Sequence, residues 1–264
     1  MTKVYDCFMF NGEWDILELR LNTHDPVVDY YVITESIYTH TGNLKKLHLD
    51  LLDSRLQRFI GKIRYIIVTD MPNTGDPYDN DAFQRNAITR GLWDKTAEDL
   101  IIISDCDEII KPHYITEARD HLDFDIFGFQ QILCYCFMNN IMVGEWGEKI
   151  WSVAVRGKIL ENTTPSWCRW NLGAAPYWWY PNAGWHYSYM MDVEEIKTKI
   201  SNFSHQEFNK PELLNTLDPA TLAYQGKDLL GRDWISWKLE SLQEVDLPNY
   251  VRQNWDKYKK YILE

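Results

Sequence analysis

The chain has 264 residues, 45% of them hydrophobic and 25% charged, and a net charge of −12. This is the composition of a soluble globular protein long enough for one large domain with a substantial core. The acidic balance argues against nucleic acid or an anionic membrane as partner, both of which call for basic patches, and no apolar run approaches the roughly 20 residues of a membrane span.

Lys3 to Phe10 reads as a buried strand closed by the turn pair Asn11-Gly12. Glu13 to His24 follows as a helix, with Trp14, Leu17 and Leu21 on one face. Val27 to Glu35 is a second strand, and the polar loop after it carries Tyr38, Thr39, His40, Thr41 and Gly42. Ile63 to Val68 is a third strand, and Asp79 to Lys95 a helix turning Phe83, Ala87, Ile88 and Leu92 to the sheet. Leu100 to Ile110 opens with four apolar residues, three of them β-branched, as a strand buried on both faces does. Strands and helices in alternation predict an α/β fold with a mostly parallel central sheet flanked by helices.

After Asp120 the pattern changes. Phe124 to Phe137 and Ile150 to Ile159 are strand-like, Pro165 to Trp185 is loop-like, and Gly184 to Tyr189 is a short strand. Val193 to Asn202, Pro211 to Asn215 and Asn249 to Ile262 read as helices. With no repeat, linker or low-complexity tract, residues 1–264 are expected to form one domain. Its halves divide near residue 122, the first facing a nucleotide and the second, 123–264, rich in aromatics. The chain has 12 Trp and 16 Tyr, whose flat faces and polar handles suit sugar rings as well as cores. Five cysteines without a Cys-x-x-Cys pair fit free thiols. The first residues enter a strand without a leader-like segment, so a cytoplasmic protein without a membrane anchor is expected.

Ser104-Asp105-Cys106-Asp107-Glu108 ends the apolar strand abruptly with three acids. Carboxylates are seldom buried without partners, so acids at the tip of a core strand belong at the sheet's mouth, where open α/β sheets bind ligands. Asp105 and Asp107, one residue apart, project to the same side of an extended segment. Two hard oxygen ligands there suit Mn²⁺ or Mg²⁺ and, through it, a substrate's phosphates. The plainer reading is a solvated turn capping the helix that starts near Pro112. The dinucleotide-cradling and phosphate-loop glycine patterns are absent, so a bound nucleotide must be held by a metal and side chains.

Several blocks together resemble glycosyltransferase family 17, which includes the β-1,4-mannosyl-glycoprotein 4-β-N-acetylglucosaminyltransferases. They are Tyr5 to Glu13 with Asp15 to Asn22, Val28 to Ser36 with Thr39, Thr41 and Gly42, and Phe83-Gln84-Arg85-Asn86 with Arg90-Gly91-Leu92. Ser104 to Ile109 resembles the family's acidic motif, and Ala183-Gly184-Trp185-His186 with Ser188 a later block. The resemblance implies a GT-A-type fold. It also implies an inverting, metal-dependent transfer from a nucleotide sugar, expected to be UDP-N-acetylglucosamine, to a hydroxyl of a glycan acceptor. Asn139 to Pro181, where an acceptor would lie, has no matching block.

For that chemistry Asp107 is the first choice as metal ligand, with Asp105 on the cation or the ribose. His186 is a candidate third ligand, with His205 competing. Gln84 and Arg85 of the helical block are expected at the donor, Arg85 on the diphosphate or base, with a salt pair to Asp81 as its plainer role. Glu35 and Thr41 are candidates for nucleoside recognition. An inverting transfer needs a general base, for which Glu145, Glu148, Asp192 and Glu207 are candidates. Trp146, Trp178, Trp179 and Trp185 are candidate platforms for acceptor sugars. Two other classes stay open: an Asp-x-Asp phosphohydrolase with Asp105 as nucleophile, and a carbohydrate-binding protein without catalysis.

Overall fold

The computed structural model describes residues 2–72, 74–144, 147 and 149–264. Its first half alternates β1 (Val4–Met9), α1 (Trp14–His24), β2 (Tyr30–Ser36), β3 (Ile63–Val68), α2 (Pro77–Asn86) and β4 (Leu100–Asp105). β1 lies between β2 and β4, and β3 borders β2, all in parallel. All four strands therefore end at one edge of the sheet, with Met9 directly beside Asp105. Leu100 to Ile103 are wholly buried, as the unbroken apolar run requires.

The second half extends the same sheet with mixed pairing. β5 (Glu108–Ile110), α3 (Pro112–Asp120), β6 (Ile126–Tyr135), β7 (Asn140–Val143) and β8 (Ile150–Arg156) follow. Then come α4 (Pro165–Trp170), β9 (Trp178–Ser188), α5 (Val193–Asn202) and, beyond two short helices, β10 (Ser236–Leu239). The sheet runs β10-β7-β6-β8-β4-β1-β2-β3, with β9 pairing β6 in parallel and β5 in antiparallel fashion. One apolar cluster packs α1 and the C-terminal segment against the sheet, and another covers the opposite face of the parallel strands. All five cysteines are buried and unpaired. Among the described residues no helix is long and apolar enough to cross a membrane.

Four elements differ from their sequence patterns. The apolar strand ends at the acids as expected, but the Asp105–Asp107 segment, expected to be extended, turns at Cys106-Asp107 into a second short strand. The helix expected to reach Lys95 stops at Asn86 and tightens into a 3₁₀ turn over Ala87–Gly91. A Cβ on Gly91 would lie 2.4 Å from Val32 Cγ1, so this turn presses on the sheet more closely than a side chain permits. The C-terminal helix is broken into the short turns Asn249–Gln253, Trp255–Tyr258 and Lys259–Tyr261. The stretch expected as a loop from Pro165 contains a helix and most of an 11-residue strand. Its Pro181 is tolerated because the β6–β9 register shifts between Phe129 and Gln131, with Asn182 at φ 47°, a bulge that takes the proline out of the ladder.

Candidate active site

The acidic tip rests on a buried ionic cradle. Arg20, on α1, is completely buried; its Nη1 donates to the carbonyl oxygens of Asp105 (2.8 Å), Cys106 (3.3 Å) and Glu108 (2.7 Å). Its Nη2 reaches Ser104 Oγ at 2.6 Å, and its Nε donates to Asp6 Oδ2 at 2.9 Å. Asp6, on β1, also pairs with Arg20 Nη2 and lies 2.8 Å from His24 Nδ1. His24 Nε2 in turn accepts the Ile110 N–H at 3.1 Å. Burial pushes the Asp6 carboxyl up, but Arg20 and His24 outweigh it and hold it well below the usual carboxylate range. One guanidinium thus holds three of the carbonyl groups of the Ser104–Glu108 turn, while that of Asp107 accepts the Tyr187 N–H at 2.8 Å.

Because the chain turns at Cys106-Asp107, strand alternation does not govern the two aspartates. Both nonetheless line one cleft of about 740 Å³ at the carboxyl edge of the parallel strands. The Asp105 carboxylate accepts from Arg85 Nη1 at 2.7 Å and lies 3.5 Å from Arg169 Nη2 on α4. Burial raises its pKa, and the two guanidiniums more than reverse that, leaving it well below the usual range. Arg85 also holds Asp81 at 3.1 Å, so its plainer role and its place in the site coexist. Asp107 Oδ1 lies 3.5 Å from His186 Nε2, and Oδ2 lies 3.5 Å from Lys199 Nζ on α5. Lys199 is shared with Glu13 Oε1 at 3.2 Å; burial disfavours its ammonium, but Glu13 and Asp107 outweigh that and raise its pKa. Glu108 turns inward to Arg169 and Ser152 and accepts the Asp105 N–H at 3.1 Å. Burial, together with Asp105 and Asp107, pushes its carboxyl up to about 8 against the pull of Arg169.

His186 enters from β9, directly across the ladder from Glu108. The close approach depends on Gly184, where a Cβ would lie 2.1 Å from the Ile109 carbonyl oxygen. Trp151 packs edge-on to the imidazole at 4.8 Å. Burial lowers the His186 pKa and favours the neutral ring, although Asp107 and Asp105 pull the other way.

Among the described residues no three His, Cys, Asp or Glu side chains converge as a metal cage. The donor set nevertheless fits a divalent cation in part. Asp107 and His186 face each other with one carboxylate oxygen and one imidazole nitrogen, and Mg²⁺-like ions commonly take few protein ligands beside substrate phosphates and water. Asp105 is engaged by arginines instead. His205 stands apart from Asp107: its Nδ1 lies 2.8 Å from Glu207 Oε1 and 2.9 Å from Tyr78 Oη, at the lip of the cleft.

Gln84 lines the cleft with Arg85. Glu35 does not: its carboxylate accepts from Lys45 Nζ, the His48 and Leu49 N–H groups and Tyr65 Oη, and it is completely buried. Its contribution is to fold the loop after β2. Thr41 lies behind the wall, hydrogen-bonded to Thr39, whose residue does line the cleft. Asp192 caps α5 in a reciprocal capping box with Glu195. Glu145, Trp146 and Glu148 fall outside the described residues. Trp185 is core, with its indole N–H donated to the Asp246 carbonyl at 2.8 Å. Trp178 and Trp179 lie at the other end of β9, in a separate depression. The aromatic walls of the cleft are instead Tyr38, Tyr78, Tyr135, Trp170, Tyr189 and Phe203. Lys199 was invisible to motif reading, being one lysine of an amphipathic helix; only the packing of α5 brings it to Asp107.

Comparison with known proteins places these features in context. The model of the family described as Glycosyltransferase family 17 matches residues 1–264. The β-1,4-mannosyl-glycoprotein 4-β-N-acetylglucosaminyltransferases of Mus musculus and Homo sapiens are each 22% identical over 300 residues. Each alignment covers 99% of this chain, and 54% of the mouse and 55% of the human protein, so the chain spans about half the length of these relatives. Among solved structures, glucosyl-3-phosphoglycerate synthase from Mycobacterium tuberculosis, in complex with Mn²⁺, UDP and phosphoglyceric acid, is 12% identical with a TM-score of 0.42. That alignment covers 76% of this chain and 78% of the synthase. HddC from Yersinia pseudotuberculosis is also 12% identical, with a TM-score of 0.38 over 72% of this chain and 91% of HddC.

Proposed function

The chain belongs to glycosyltransferase family 17, and from that premise we propose that its cleft transfers N-acetylglucosamine from UDP-N-acetylglucosamine to a glycan hydroxyl, with inversion. The observation that carries the reading is Asp107 and His186 facing each other at 3.5 Å at the carboxyl edge of the sheet, beside an Asp105 paired with Arg85.

Asp107 and His186 would hold Mn²⁺ or Mg²⁺, which when bound supplies positive charge against the leaving diphosphate. Asp105, fixed by two guanidiniums, is suited to accept from a ribose hydroxyl rather than to ligate the cation. Lys199 adds a fixed ammonium at the same end of the cleft. Tyr38, Trp170 and Tyr189 in its walls offer flat faces to base and sugar.

An inverting transfer needs a base facing the acceptor. Among the described candidates, Glu207 stands beside cleft-lining His205. With the proton on Nδ1, that single N–H donates to the Glu207 carboxylate and leaves the Nε2 lone pair for the acceptor hydroxyl. In the proposed step the acceptor oxygen bonds to the anomeric carbon while the bond to the diphosphate oxygen breaks. The bonding pair leaves with UDP, and the hydroxyl proton passes to His205.

The test is UDP release from UDP-N-acetylglucosamine with a panel of mannose-containing glycans, with and without Mn²⁺, the product's anomeric configuration being read by NMR. A β-linked product formed from the α-linked donor, only with a divalent cation, is expected. A retained configuration, or no transfer with any UDP-sugar, would overturn the reading.

A further inference from the structure

The sheet has a second ligand-sized depression at its opposite edge, where β9 begins. It measures about 550 Å³ and lies between the last turn of α3 and the segment from Trp178 to Pro181. β9 runs parallel to β6, and six residues of β6 separate the partner of Trp178 from the partner of His186. At about 3.3 Å per residue this puts the depression roughly 20 Å from the acidic tip. It is not a continuation of the catalytic cleft.

Three observations point to a ligand. Trp178 and Trp179, adjacent on one strand, are 43% and 47% exposed. The Trp178 ring is braced rather than loose, against His121 at 5.3 Å and Phe124 at 5.6 Å. The Tyr180 hydroxyl, on a residue only 5% exposed that lines the depression, has no hydrogen-bond partner among the described residues. A buried hydroxyl without a partner costs free energy unless a ligand or water completes it.

The chemistry of the walls selects the class of ligand. Among the described residues no lysine or arginine lines the depression, and the neighbouring Arg119 is engaged by Asp120, so a phosphate, nucleotide or other anion meets no unengaged cation in its walls. Glu117 and Thr116 instead offer oxygens to hydroxyl donors, next to the flat indole faces, while the Asp120 carboxylate is held by Arg119. Apolar ring faces edged by hydrogen-bond acceptors match the alternating apolar faces and hydroxyl rims of pyranoses. We infer that this depression is a second, non-catalytic binding site for a neutral oligosaccharide, separate from the transfer cleft. It would keep the protein on a glycan while the opposite edge of the sheet carries out chemistry, and it stands whether or not the proposed reaction does.

Calorimetric titration and tryptophan fluorescence of the full chain, with gluco-, manno- and chito-oligosaccharides in turn, test the inference. At least one series is expected to bind equally well with and without saturating UDP and Mn²⁺, and equally well in Asp107→Ala. Trp179→Ala is expected to weaken that binding roughly tenfold, and Tyr180→Phe several-fold, with UDP release from the cleft unchanged. Trp179 is half exposed, so its truncation leaves the fold intact, which thermal unfolding verifies. No binding by any series, binding indifferent to Trp179→Ala, or binding abolished by Asp107→Ala would each overturn it, the last by moving the sugar to the catalytic cleft.

Discussion

Under the acidic tip, Arg20, Asp6 and His24 are fully buried and joined by hydrogen bonds to one another and to the Ser104–Glu108 backbone. At the lip, Tyr78, His205 and Glu207 are about half exposed and hold one another through a single imidazole nitrogen. The floor places carboxylates with little freedom and is expensive to disturb, because removing one partner strands a buried charge. In the proposed reaction the lip admits and releases the acceptor, and it is built from exposed groups whose individual contacts stabilise the fold little. Stability and reactivity are therefore expected to separate when the two regions are altered one at a time.

The largest effect is expected at the floor. Arg20→Ala leaves three carbonyl groups without their guanidinium donor and Asp6 with His24 alone, and should cost about 3–5 kcal/mol in urea unfolding, or abolish folding. A variant that keeps wild-type stability would show that the cradle is not what fixes the turn. Asp107→Asn, in contrast, should lower transfer roughly a thousandfold, the several kcal/mol attributed to charge stabilisation by a metal, with little change in Tm. A large loss of Tm in that variant would move Asp107 from the chemistry to the scaffold.

At the lip, His205→Gln should reduce kcat roughly a hundredfold, while Glu207→Gln should cost less because it only orients the ring. Both should stay within about 0.5 kcal/mol of the parent in stability. Unchanged kcat in both would remove the proposed base.

Gly184→Ala tests the join between the two halves. Its methyl would meet the Ile109 carbonyl, so β9 must shift, at about 1–3 kcal/mol, and carry His186 away from Asp107. Transfer should fall with stability here, unlike at the lip.

The smallest expected effect is with pH. The folded Asp6 carboxyl titrates well below its unfolded value of about 3.9. Its stabilisation is complete above that pH and is lost as pH falls below it, because the unfolded chain takes up the proton first. Acid unfolding followed by circular dichroism should show this loss below about pH 4, and Asp6→Asn should remove its share of it. A parent whose stability is flat from neutrality to pH 2 would contradict the cradle's electrostatics.

The sequence by itself determined the α/β class, the buried strand, the position of the acidic tip at the sheet's mouth and the family. Each rests on local information: an unbroken apolar run, acids that cannot be buried without partners, and motif blocks in order. It placed Asp105, Asp107, His186 and Arg85 in the candidate site for the same reason. The tertiary structure decided the rest, because partners distant in sequence set the role of each side chain. Glu35 has the same chemistry as Asp107, yet four donors folded around it make it a loop anchor. Trp178 and His186 share one strand, but a parallel strand has two ends, and only pairing with β6 shows that they lie at opposite edges of the sheet. Lys199 carries no motif and reaches Asp107 across 92 residues of chain because α5 packs there. Composition reports which groups a chain possesses; their mutual distances, and hence their chemistry, exist only once the helices have packed against the sheet.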